Sequence, residues 1–141
     1  MFDDARAAGL ALFVREGYRT TKEQQQIMDD RIKEHENQGC SKKEAKKKAE
    51  EYVAIPGTSE HQLGLSVDIN ADTSKCSSDA VYQWLDENAY KYGFVKRYPE
   101  DKTDITSINN EPWHYRYVGK DAARTMKQEN LCLEEYLIKY K

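Results

Sequence analysis

Two of the three histidines, His61 and His114, sit in unusual company along the chain. His61 lies in TSEHQLGLSVDIN, seven residues before Asp68, and His114 lies in NEPWHYRYVG, three residues after Glu111. Imidazole and carboxylate together suit zinc, and two histidines with one acid leave a fourth coordination position for water. That is the arrangement of a catalytic rather than a structural site. Gly64 lets the chain fold back so that His61 can meet Asp68 on the polar face of a strand. Val67 and Ile69 flank Asp68, so a carboxylate buried there needs a charge partner, which a metal supplies. On spacing alone a plainer alternative stands beside this one, with His61 and His114 as ordinary polar residues and Asp68 as a strand-end cap. The HExxH helix pattern of many zinc proteases is absent. In a regular strand residues 111 and 114 would face opposite sides. Pro112 predicts an irregular lead-in that turns Glu111 toward the metal. His35, between Glu34 and Glu36 on a polar helix, reads as exposed and uninvolved.

The elements that must position these residues alternate between helix and strand. Residues 2–8 read as the end of a helix stopped by Gly9, and LALFV at 10–14 as a short buried strand. Thr20 with Glu23 is a capping box that opens a helix with Ile27, Met28 and Ile32 on its apolar face, ended by Gly39. A second box, Ser41 with Glu44, opens a lysine-rich helix running to about Val53, before Pro56-Gly57 breaks it. Leu63, Leu65, Val67 and Ile69 alternate with Gly64, Ser66, Asp68 and Asn70, the period of a half-buried strand. Ser77 or Ser78 caps a third helix carrying Val81, Trp84, Leu85 and Tyr92, closed by Gly93. FVKRY and EPWHYRYVG predict two further strands around the polar loop PEDKTDITSINN, and a helical region begins near Lys120. Strand spacing lacks the regular rhythm of a doubly wound sheet. An α+β fold with a small antiparallel sheet flanked by helices is expected.

At 141 residues the chain fits one domain, expected to span 1–141. Apolar residues at 38% and charged residues at 33% describe a wet but globular composition. No run approaches the ~18 apolar residues of a membrane span. The amino-terminal MFDDARAAGLALFV lacks the basic and apolar regions of a signal peptide. A net charge of −3 argues against nucleic acid as partner, and the lysines of SKKEAKKKAEE read as a solvated helix face. Cys40, Cys76 and Cys132 are isolated; they build no zinc site, and one disulfide with one free thiol stays open.

Three separated motifs, and the stretch between two of them, carry a resemblance. TSEHQLGLSVDI resembles the S-x-H-x-x-G-x-A/V-x-D motif of VanY-type D-alanyl-D-alanine carboxypeptidases, and EPWHYRYVG resembles their E-x-W-H-F/Y-R-Y-V-G motif. GYRTTKEQQ is similar to the family's S-G-Y-R-S/T…Q segment, and WLDENAYKYGFVKRYP to the stretch between the metal motifs. The similarity covers nearly the whole chain, in the family's order. Glu16 stands where serine is usual before Gly-Tyr-Arg, and Ser66 where small residues vary; neither position is an implied ligand.

The resemblance implies a zinc carboxypeptidase that removes the terminal D-alanine from peptidoglycan stem peptides, with D,D- or L,D-specificity open. It implies Zn2+ held by His61, Asp68 and His114. Glu111 would be the base that takes a proton from the metal-activated water and delivers it to the leaving amine. Arg19 would read the free C-terminal carboxylate through two charged hydrogen bonds. Gln24, Ser59 and Tyr98 match positions that line the substrate pocket, Tyr98 as a donor to the developing oxyanion. From the alternation alone, Trp113 and Tyr117, with Tyr115 on the same alternate set, are candidates to line a groove, with core packing the alternative for Trp113 and Trp84. Such substrates place the protein at the cell envelope, as a monomer held at the membrane, if at all, only by a segment outside these residues. Two alternatives accompany this: a stem-peptide endopeptidase or D-Ala-D-Ala dipeptidase of the same fold, and a non-catalytic zinc-stabilised module, as in the Hedgehog signalling domain. Glu111 speaks against the second.

Overall fold

Glycine stops and polar caps cut the chain into short elements. The computed structural model describes residues 1–140. In chain order these are α1 (Phe2–Ala7), β1 (Leu12–Glu16), α2 (Thr21–Asn37), α3 (Lys42–Glu50), a 3-10 turn (Glu60–Leu63) and β2 (Ser66–Ala71). There follow α4 (Ser78–Asn88), β3 (Phe94–Lys96), α5 (Thr103–Thr106), β4 (His114–Tyr117), α6 (Lys120–Glu129) and α7 (Leu133–Tyr140). The four strands form one antiparallel sheet in the order β1-β2-β4-β3, so the α+β expectation holds. The chain divides into two units, one of Met1–Gly17 with everything from Leu65 onward, the other Tyr18–Gly64.

The sheet belongs to the first unit. Val67 stands opposite Tyr115 and Leu12 opposite Ala71, so these residues share one face with Ile69. That face meets Ala5 of α1 and Val81 and Leu85 of α4, the main core. The other face carries Asp68 directly opposite His114. Behind β3, Val95 packs with Ala123 and Met126 of α6, and Leu133 and Tyr136 seat α7 on the same cluster. Gly93 turns the chain into β3 with φ +89, where a Cβ would stand 2.8 Å from the Tyr117 ring. Leu85 is fully buried, so Leu85→Ala should cost about 3 kcal/mol of stability. Urea denaturation checks this.

In the second unit both capping boxes form, at Thr20 with Glu23 and Ser41 with Glu44. Met28 packs with Ala49 and Val53 between α2 and α3, joined by Ile27 and Ile32. Ala45 and Ala49 bury one side of α3 while Lys42, Lys43, Lys46, Lys47 and Lys48 face water, the solvated face the sequence suggests. The helix stops at Glu50, before Val53.

Four local expectations need correction, and the open question of the cysteines is answered. LALFV is not a buried run, because β1 is an edge strand whose Phe13 and Val14 are 46% and 49% exposed. The strand expected from Leu63 starts at Ser66: Glu60–Leu63 is a 3-10 turn closed by left-handed Gly64, which leaves Leu63 63% exposed. Tyr115 does not line a groove; it is among the largest buried side chains of the core, and burial pushes its hydroxyl well above the ordinary tyrosine range. His35 is half-buried rather than exposed, with Nδ1 3.4 Å from Gln38 Oε1. All three cysteines are free thiols.

Candidate metal centre

β2 and β4 are the central strands, and two polar side chains they carry, Asp68 and His114, are buried and must find partners within the protein. Asp68 and His114 do so across the ladder. They are a directly opposed pair, and His114 Nδ1 lies 3.0 Å from Asp68 Oδ1. Both are buried.

Glu111 joins them because it is not on the strand. β4 begins only at His114, and Pro112 and Trp113 form a turn in which the His114 N–H donates to the Glu111 carbonyl at 3.2 Å. This is the irregular lead-in that Pro112 predicts. It brings Glu111 Oε2 to 3.8 Å from His114 Nδ1, with the Glu111 side chain 12% exposed. The Glu111 N–H donates to the Tyr98 carbonyl at 3.0 Å, tying the segment before β4 to the one after β3. The Tyr98 ring stands 5.1 Å from the His114 ring, tilted by 35°. Arg97, a residue the motifs do not single out, sets its guanidinium 4.8 Å from the centroid of the Tyr98 ring.

The remaining candidates lie in the second unit. His61 is buried on the 3-10 turn before Gly64, and its carbonyl accepts the Arg19 N–H at 3.1 Å. Arg19, at the start of α2, donates from Nη1 to Gln24 Oε1 at 3.2 Å. Gln24 is almost fully buried, and its Nε2 donates to the Ala54 carbonyl at 2.9 Å, so both ends of its amide are engaged. A helix-surface glutamine would be solvated; this one holds a guanidinium. Ser59 is buried at the start of the 3-10 turn without a side-chain cap bond there.

His61, Asp68 and His114 form the candidate metal group. Each is buried and offers one ligand atom, and the three atoms lie within 4.8 Å of one another. Donor atoms around a tetrahedral zinc, with bonds of roughly 2.0–2.1 Å, stand about 3.3 Å apart. The two-nitrogen, one-oxygen donor set suits zinc.

The family model for VanY D-alanyl-D-alanine carboxypeptidase matches residues 1–120. A D-alanyl-D-alanine carboxypeptidase of Enterococcus faecalis is 57% identical over 137 residues, which are 97% of this chain and 51% of that protein. A solved structure of VanYB in complex with D-alanine-D-alanine superimposes with a TM-score of 0.95 at 56% identity, covering 99% of this chain and 77% of that one. A mutant VanY from a VanB-type vancomycin-resistance cassette, solved in complex with Zn(II), gives a TM-score of 0.92 at 57% identity, covering 96% and 76%. The chain spans about half the length of the first curated relatives it matches.

Proposed function

Since the chain belongs to the VanY family of D-alanyl-D-alanine carboxypeptidases, we propose that it is a zinc-dependent carboxypeptidase removing the C-terminal D-alanine from peptidoglycan stem peptides. The observation that carries this reading is the grouping of buried Asp68 and His114 with half-buried Glu111, a carboxylate 3.8 Å from a candidate ligand and outside the ligand set. A structural metal site has no use for such a group. A hydrolytic one does.

In this reading His61, Asp68 and His114 hold the metal. Bound there, zinc polarises the scissile carbonyl and makes water acidic enough to ionise near neutral pH. Glu111 accepts the proton of the attacking water and passes it to the leaving amine. Its backbone tie to Tyr98 and its turn at Pro112 hold the carboxylate for that transfer. The Tyr98 hydroxyl donates to the carbonyl oxygen as negative charge develops. Arg19 takes the substrate's terminal carboxylate in a fork of two hydrogen bonds, and Gln24, committed at both ends, fixes the angle of that fork. Ser59 bonds the peptide.

The 1–141 segment acts as a single catalytic domain, monomeric, at the cell envelope where stem peptides occur. Among the described residues no helix is long and apolar enough to cross a membrane. Incubating zinc-loaded protein with pentapeptide and tetrapeptide stems is expected to remove one alanine from the pentapeptide, read by mass. Loss from the tetrapeptide alone would make the enzyme L,D-specific, and release of a dipeptide would make it a dipeptidase or endopeptidase. No change in either stem would end the carboxypeptidase reading.

A further inference from the structure

The helix α7 lies beyond the residues 1–120 that the family model matches, yet it is joined to the site by a short series of contacts. Glu134, in its first turn, takes both terminal nitrogens of Arg97: Nη1 donates to Oε2 at 2.9 Å and Nη2 to Oε1 at 2.6 Å. The two side chains are only 11% and 31% exposed, so this forked pair is firmer than a single-contact pair in open water. Arg97 in turn touches two parts of the site. Its guanidinium lies over the Tyr98 ring at 4.8 Å, and its backbone N–H donates to the His114 carbonyl at 3.0 Å. Tyr98 then packs against the His114 ring and accepts the Glu111 N–H.

Leu133 and Tyr136 seat α7 on the cluster of Val95, Ala123 and Met126 without help from Glu134. The Glu134 carboxylate is thus not what docks the helix. What it does is hold the Arg97 fork in one orientation. Losing that partner removes the two-point contact that sets the angle of the guanidinium over the ring, and so weakens the packing that orients the Tyr98 side chain.

We propose that Glu134 is a positioning residue for the active site, acting through Arg97 to fix the Tyr98 ring. This rests on the carboxypeptidase reading, in which Tyr98 donates to the oxyanion. A donor needed only in the transition state affects kcat and leaves KM nearly alone.

The test uses the full zinc-loaded chain. Glu134→Gln should lower kcat for the pentapeptide about tenfold, with KM within twofold and zinc content unchanged. Glu134→Asp, which restores the charge, should recover most of the loss. The control is Glu135→Gln: Glu135 neighbours Glu134 but pairs with Lys102 at 3.0 Å, so kcat should stay within twofold. A Glu134→Gln enzyme with unchanged kcat, or an equal loss in Glu135→Gln, would overturn the proposal. Aromatic NMR shifts of Tyr98 give a second readout, expected to move in Glu134→Gln and not in Glu135→Gln. An inactive parent protein would count against the functional reading; Tyr98 shifts that stay put in Glu134→Gln would count against the positioning role.

Discussion

Glu111→Gln is expected to lower kcat for D-alanine release by about 10³-fold while leaving one zinc per chain. General acid–base catalysis contributes roughly 10²- to 10⁴-fold, and Glu111 serves the proposed reaction twice, as base for water and as acid for the amine. Glutamine keeps the shape and can still donate or accept hydrogen bonds, but it cannot carry a proton from one to the other. The carboxylate lies 3.8 Å from His114 Nδ1 and is held by backbone bonds on both sides, from its N–H to Tyr98 and from its carbonyl to His114. The substitution therefore removes a proton carrier without releasing the segment. Steady-state kinetics beside elemental analysis checks this. Zinc retained with kcat within tenfold of the parent would remove Glu111 from the base role, and zinc lost with activity would make it part of the metal's support instead.

Why Glu111 was legible, and Arg97 was not, is a matter of range. Glu111, Pro112 and His114 sit within four residues, so a single proline is enough to predict that the carboxylate leaves the strand's alternation. The capping boxes at Thr20 and Ser41 are local in the same way, and both form. Arg97 matters only because Glu134 approaches it from 37 residues away, which no spacing rule reports. The misread strand faces have the same origin. The run at 10–14 is apolar, yet whether a strand is buried depends on having neighbours on both sides, and β1 has only β2. In β2, alternation correctly separates Ile69 from Asp68, but the polar face is buried there too: Ser66 and Asp68 are buried, and His114 stands beside Asp68 on β4. An alternating strand at the centre of a sheet carries its chemistry on the face that pattern reading assigns to water.

That buried polar face is also why the metal and the fold should prove coupled. Asp68 and His114 face each other at 3.0 Å and both are buried, and an imidazole and a carboxylate are both good donors to a metal ion. A dication answers both groups at once. Saturating zinc at about 100 times its Kd stabilises the folded state by about 2.7 kcal/mol, which for a chain of this size raises Tm by about 10 °C. The parent protein, stripped with chelator, is therefore expected to melt about 10 °C higher when zinc is returned. His114→Ala removes one of the three proposed ligands and the imidazole that faces Asp68. If each ligand carries a comparable share of a zinc affinity near 10–16 kcal/mol, zinc should bind roughly 10²-fold more weakly or worse, and the melting shift should fall to about 2 °C or less at the same zinc concentration. Differential scanning calorimetry with and without zinc reads both outcomes, and His61→Ala should behave alike. A parent whose melting ignores zinc, or a His114→Ala protein that gains as much from zinc as the parent, would mean that these side chains meet for some purpose other than holding the ion.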